Sequence, residues 1–313
     1  MVCFTSYALL FTPDNARSTI RKTSCVATRC HLSTVTLKEL KQFKHRINPE
    51  ERQGAYGYYF IRPLSLYVTY FALRLGLTAN QVTVLQTLSG VAGAVCLAFP
   101  SHVMRLLGVV LLQFGFVLDN VDGEVARFRK QVSVTGKFLD VVGHEIVIPF
   151  MFFGLGIGAY FQLGRFEAIV FGFLAGFFSL RFDMSAMYHE AAQLLETKLD
   201  QSYDYYAKLQ SGNGSELKIY RRKNEDSAIR MLYALFAYPA TMNIVTVLII
   251  LETIFPPAVV GGFSLSPVYV FLVLYGILLP IRRVLTIRRL VQGRETERKY
   301  VALAGLLRNK SSK

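Results

Sequence analysis

The sequence predicts an all-α integral membrane protein, a bundle of six transmembrane helices preceded by a helix lying in the membrane interface. Three observations predict it. Hydrophobic residues fill 52% of the 313 positions against 18% charged, an apolar excess over ordinary soluble domains. Six apolar stretches approach the ~20 residues that a helix needs to cross a hydrocarbon core of ~30 Å. The 35 Lys+Arg outnumber the 21 Asp+Glu to leave a net charge of +14, and the cations gather between alternate stretches, as the positive-inside rule requires. This balance excludes a wholly disordered chain and argues against a soluble nucleic-acid binder.

The elements follow in order. Residues 1–57 read as a partly disordered tail. Arg17, Arg21, Lys22 and Arg29 are mixed with Ser and Thr, and Asp14 is the only acid before residue 35. No apolar core of signal-peptide length precedes a cleavage site; an organellar presequence, a disordered tail and an upstream start-codon choice all fit. Residues 63–77, preceded by Arg62 and containing Tyr67, Tyr70 and Arg74, read as the interfacial helix, the rival being a short first span with a snorkelling arginine. The six spans are then 81–99, without charge; 102–118, with Arg105 near its start and Asp119 at its end; 138–161, with Asp140, His144 and Glu145 in its first turns; 166–180, with Glu167 near its start and Arg181 just past its end; and 231–251 and 263–281, both uncharged. Pro149, Pro239, Pro267 and Pro280 lie in or near spans and mark expected kinks. The membrane domain is expected over 58–290 with a cytoplasmic insert at 187–229, followed by a basic tail at 291–313. Of four cysteines, Cys3, Cys25 and Cys30 crowd the first thirty residues and Cys96 lies in an apolar run, which makes no disulfide framework.

With six spans and both termini inside, the inner segments carry Lys38, Lys41, Lys44, Arg46, Arg52 and Arg62, then Arg127, Arg129, Lys130 and Lys137. They also carry Arg221, Arg222 and Lys223, and finally Arg282, Arg283, Arg288 and Arg289. The outer loops hold Arg165, with His102 and Arg105 near a span end. Seven spans would throw one basic terminus outside, so six are expected. The corresponding location is an integral protein of a bacterial inner (cytoplasmic) membrane type, with anionic lipids against the basic runs.

Chemistry concentrates at the inner ends of the second and third spans. Asp119 and Asp122 are i and i+3, and Asp140 and His144 are i and i+4, so each pair shares a helical face. Ionisable groups at the edge of a bilayer core are costly and mark function by default. If the two helices fold back around 128–135, three carboxylates and an imidazole converge. The alternative is plain pairing of these acids with basic neighbours at the membrane surface. Hard divalent cations take oxygen ligands, and Mg²⁺ combines one or two carboxylates with substrate phosphates, so the cluster suits a metal-bound diphosphate beside Arg127. Gly123 and Ala126 leave room for a flat base or a ribose, and Gly136 for close helix packing.

The stretch Asp119-x2-Asp122-Gly123-x2-Ala126-Arg127-x8-Gly136-x3-Asp140-x3-His144 resembles the signature of the CDP-alcohol phosphatidyltransferase family at every fixed position except the last, where the family has a fourth Asp. Asn80-x-x-Thr83 resembles the start of the family's first transmembrane helix. The resemblance extends over about Arg62 to Arg289 and implies the family's six-span fold, one or two Mg²⁺ or Mn²⁺ ions on Asp119, Asp122 and Asp140, and a CDP-linked donor. Gly123 and Ala126 would border the cytidine, Arg127 would hold phosphate, and Gly136 would belong to the same substrate-binding set. An alcohol or lipid acceptor would attack the phosphorus distal to cytidine and release CMP. The residue at 144 would be the acceptor's general base, next to Asp140.

His144 departs from that pattern. Imidazole titrates near neutrality and can act as a base; it is a poorer partner for Mg²⁺ and a better one for Mn²⁺ or softer ions. A base, a degenerate site and a structural histidine stay open. Glu145 is rotated by about 100° on the helix and is not assumed to substitute. Arg181 is a candidate for binding an anionic acceptor, against a snorkelling arginine. Asn243 reads as interhelical hydrogen bonding. A membrane prenyltransferase using an Asp-x-x-Asp metal site is the nearest enzymatic alternative, and an ion or proton transporter is the non-enzymatic one. A homodimer is compatible with all of these.

Overall fold

A computed structural model describes residues 36–44, 57–129, 131, 133–180, 235–236, 238–255, 258–260, 263–293 and 301. The order is α1 (Leu37–Lys44), a π-helical turn (Gly57–Ile61) running into α2 (Arg62–Arg74), α3 (Ala79–Leu97), α4 (His102–Phe128), α5 (Val134–Leu163), α6 (Glu167–Ser179), α7 (Tyr238–Ile254), a hairpin of β1 (Ala258–Val260) and β2 (Phe263–Leu265), and α8 (Pro267–Gly293). Among the described residues the expected all-α class holds except for that hairpin, whose strands pair antiparallel with Val259 opposite Ser264.

Each predicted stretch lies on one of α3 to α8, with shifted limits. The second does not stop at Asp119: α4 continues unbroken to Phe128 and carries the first acidic motif on its last turns. The last, expected from 263, begins as a strand. Its helix starts at Pro267, where the missing N–H falls among donors left unpaired at any helix start, and Ser266 Oγ accepts from Tyr269 N at 3.1 Å. By length and composition, α4, α5 over Thr135–Leu163, and α8 over Pro267–Arg288 can cross a membrane; α6 and α7 are apolar but shorter. Asn80, Gln81, Thr83, Gln86 and Thr87 dilute the apolar character of α3.

Local signals set the helix limits. Thr78 and Gln81 form a reciprocal capping box before α3, satisfying donors that the first turn leaves free. Ser133 accepts from Gly136 N at 3.0 Å at the start of α5. Gly164, at φ 67°, ends α5 in the left-handed conformation that glycine adopts without penalty. Within the tail expected to be partly disordered, Thr36 and Glu39 cap α1 in the same reciprocal way, and Leu40 is buried. The Thr36 backbone N–H holds the Glu39 carboxyl below its ordinary pKa.

The bundle is organised around α3, which packs along both α4 and α5. Small residues allow the approach: a Cβ on Gly93 would stand 2.8 Å from the Gly108 carbonyl oxygen, and one on Gly154 would collide with the Ala94 carbonyl. Close backbone contact of this kind replaces the hydrophobic drive that lipid removes. Leu112, Phe116, Met151, Phe152, Leu155, Met242, Ile249 and Leu272 fill the interior, while Val84, Val110, Phe161, Phe173, Val247 and Leu274 face outward. Apolar residues on both sides of the helices are what a lipid-facing bundle requires.

A buried ionic network ties the helix ends remote from the acidic motif. Arg105, expected near a span end and in fact 2% exposed, lies 2.9 Å from Glu252 Oε2 and donates to Gln162 Oε1 at 2.6 Å. Glu252 Oε1 accepts from the Ser266 hydroxyl and from Val268 N, the latter at 3.0 Å. Four helices, α4, α5, α7 and α8, are thereby locked at one end, roughly 21 Å along α4 from Asp119 at 1.5 Å per residue.

Candidate active site

The last turns of α4 and the first turns of α5 bring their motif residues together, with the α3 face bearing Thr83 and Gln86 alongside. The α4 and α5 backbones have few direct contacts, each packing instead on α3. Side chains therefore bridge a cleft. His144 Nε2 lies 3.1 Å from Asp119 Oδ1 on α4 and 3.3 Å from Asp140 Oδ1 on its own helix. Asp119, Asp140 and His144 are partly buried and offer one ligand atom each, all within 4.8 Å of one another.

Asp122 stands outside this three-residue group, and its Oδ2 accepts from the Thr83 hydroxyl at 2.7 Å, while Gln86 Nε2 donates to Asp119 Oδ1 at 3.1 Å. Asp140 is also 3.7 Å from the exposed Lys137 Nζ. Two oxygen donors and an imidazole nitrogen form a set that fits a divalent cation, with the nitrogen favouring Mn²⁺ relative to an all-oxygen site.

The substrate-binding candidates flank the cluster. The Arg127 guanidinium folds over Gly123, where a Cβ would stand 3.2 Å from its Nη2. Ala126 is partly buried and Arg127 exposed. A Cβ on Gly136 would stand 3.4 Å from Asn80 Oδ1, so the two motif regions, read separately in the sequence, meet in space. Arg129, just past α4, has its pKa lowered by burial. Arg181 and the insert 187–229 lie outside the described residues.

Several residues were not singled out by sequence. Gln86 shares the Thr83 face of α3 by i, i+3 spacing, a signal available once Thr83 is chosen. Gly143 backs onto Thr87: a Cβ there would be 2.6 Å from the Thr87 hydroxyl oxygen. The Tyr238 ring packs against His144 with centroids 5.1 Å apart and edge-on to Phe116 at 6.3 Å; nothing local in the sequence marks it.

Residues 76–205 match the family model described as CDP-alcohol phosphatidyltransferase. Among solved structures, the chain is similar to Mycobacterium tuberculosis phosphatidylinositol phosphate synthase (PgsA1) with CDP-DAG bound, at 20% identity and a TM-score of 0.46, over 72% of this chain and 92% of that one. It is similar to the same enzyme in complex with manganese and citrate at 20% identity and a TM-score of 0.43, over 72% and 87%. No curated protein matches the chain. The family match carries the assignment, because the whole signature, Asp119 to His144, lies inside it. Residues 76–205 are therefore similar to the CDP-alcohol phosphatidyltransferase family over the whole motif, which indicates a transferase of phosphate-containing groups.

Proposed function

We propose that the protein transfers a phospho-alcohol group of phosphatidyl type from a CDP-linked donor to an alcohol or lipid acceptor, releasing CMP, at the cytoplasmic membrane face. The observation that carries this is the convergence of Asp119, Asp140 and His144 within 4.8 Å, beside Asp122, in a chain whose signature region matches the family. Asp119 and Asp140, with Asp122 alongside, would hold one or two Mg²⁺ or Mn²⁺ ions. A divalent ion bound there supplies neutralisation of the donor diphosphate and of charge developing in the transition state.

The chain's own residues account for the remaining work. Gly123 and Ala126 let the cytidine approach α4, and Arg127, folded over Gly123, is placed to swing onto a phosphate; Gly136 keeps the α5 start against Asn80. Thr83 and Gln86 orient Asp122 and Asp119 through the hydrogen bonds described above. An acceptor hydroxyl oxygen bonds to the phosphorus distal to cytidine, the bond from that phosphorus to the bridging oxygen breaks, and CMP leaves with the electron pair. His144 takes the acceptor proton. Alignment of attack and electrostatic stabilisation supply most of the rate in such transfers. Should the acceptor carry a phosphate, Arg181 is the proposed side chain to hold it.

A specific observation favours a second role for His144: its Nε2 stands within ligand distance of the same centre as the two carboxylates, which suits a metal ligand. The fold proposal is completed by six spans, α3 to α8, with α2 in the interface, both termini inside, a bacterial inner-membrane type location and a homodimer. The deciding experiment is protein purified in detergent with Mg²⁺ or Mn²⁺, screened with CDP-linked donors and pooled lipid and polyol acceptors. CMP release that depends on metal and acceptor is expected. A folded protein that binds no CDP compound overturns the proposal.

A further inference from the structure

Glu124 is the first unspecified position after Asp122-Gly123 in the motif, and it does not face the cleft. At about 100° per residue it lies some 200° around α4 from Asp122. It is 8% exposed, beside the fully buried Val121 and Val125. Two hydroxyls from α2 reach it: Ser65 Oγ is 2.8 Å from Glu124 Oε1, and Thr69 Oγ1 donates to Oε2 at 2.7 Å. Ser65 and Thr69 are both fully buried and, at i and i+4, share one face of α2. Ser65 Oγ is also 3.1 Å from the Arg62 carbonyl, the longer of its two contacts. The other face of α2 is apolar and exposed, through Leu64, Tyr67, Phe71 and Leu75.

Burying a carboxylate between two helices is a poor way to gain stability, since a packed apolar side chain does as well or better. What a two-point clasp adds is orientation. An aliphatic contact allows α4 to rotate or slide against α2 by a fraction of a turn. Two hydroxyls, each on a different carboxylate oxygen, do not. The rotation they fix is the one that turns Asp119 and Asp122 into the cleft. We infer that Glu124 is a positioning residue: clasped by Ser65 and Thr69, it makes the surface helix α2 set the register of the motif helix, and so the affinity of the site for its donor. The donor part of this inference rests on the function proposed above; the ordering of α4 does not.

Two readouts keep them apart. Thr69→Val removes one donor at nearly constant volume, Glu124→Gln removes the charge, and Thr69→Ser restores the hydroxyl. In detergent-purified protein, hydrogen–deuterium exchange of residues 119–128 and the Kd for CDP with Mn²⁺ are measured together with donor KM and acceptor KM. Thr69→Val and Glu124→Gln are expected to speed exchange in that segment and to weaken CDP binding and raise donor KM by about tenfold, the scale of one charge-assisted hydrogen bond, with acceptor KM unchanged and Thr69→Ser close to wild type. Unchanged exchange overturns the clasp. Faster exchange with unchanged CDP affinity, or equal losses for both substrates that Thr69→Ser does not rescue, overturns the positioning role and leaves a packing contact. A wild type that binds no CDP instead removes the function proposed above and with it the donor part, while exchange still decides the clasp.

Discussion

His144 concentrates the chemistry of this site in one side chain. Its Nε2 bridges carboxylates from two helices, and the base and ligand roles predict different behaviour on substitution. His144→Ala is expected to lower kcat by about 100-fold or more, the usual scale for a lost general base; full transfer activity in that variant would dismiss both roles. His144→Asp separates them. If His144 is a ligand, Asp restores activity with a preference moved from Mn²⁺ toward Mg²⁺. If it is the base, metal preference stays and the pH profile of kcat moves to lower pH, since a carboxylate is deprotonated below the range of imidazole. Much of this was legible in the sequence because i, i+3 and i, i+4 spacing fixes which side chains share a face before any tertiary structure is known. The hydrogen bond from Thr83 to Asp122 was not legible, because Thr83 stands 39 residues earlier on another helix. Tyr238 was invisible for the same reason: only the docking of α7 brings its ring to His144.

Among elements, α3 is the wedge of the site half and the Arg105–Glu252 network is the clamp of the other. Both partners of that pair are almost wholly buried, so removing one leaves an uncompensated charge. Glu252→Ala is expected to destabilise the protein by about 3–5 kcal/mol, whereas the paired Arg105→Met and Glu252→Leu change is expected to be close to neutral. Thermal unfolding in detergent checks this; a single variant as stable as wild type would mean that the pair is not the clamp. The sequence offered Arg105 as a charge near a helix end, a sound reading for an isolated helix, since nothing local announces a partner 147 positions away. The hairpin is a different omission. In sequence, Gly261-Gly262 between Ala-Val-Val and Phe-Ser-Leu is the signal for a tight turn flanked by strand formers, but an apolar run in a membrane-like chain reads first as helix.

At the scale of the whole molecule, the question is how helices of unequal length share one membrane. The 13 residues of α6 reach only about 20 Å, against a hydrocarbon core of ~30 Å. In the six-span proposal α6 is a short span, which local thinning or anchoring at its ends accommodates; Arg165 stands over the Tyr269 ring at 5.3 Å, and the Leu180 carbonyl at its other end accepts from Arg283 Nη2. The proposed sidedness rests on charge. In sequence, Gln131, between α4 and α5, is near Arg127, Arg129, Lys130 and Lys137, whereas Ser101, between α3 and α4, is near His102 and Arg105, and Arg105 is paired with Glu252. With six spans the two loops face opposite sides, and so do residue 165 and the C-terminus. In a variant with Cys3, Cys25, Cys30 and Cys96 replaced, single cysteines at Ser101 and Arg165 are expected to react with an impermeant maleimide from outside intact cells, and those at Gln131 and Ser312 only in inverted vesicles. Reaction of Ser101→Cys and Gln131→Cys from the same side would mean that α4 does not cross. Reaction of Ser312→Cys from outside, with Arg165→Cys also outside, would instead mean that α6, α7 and α8 do not all cross.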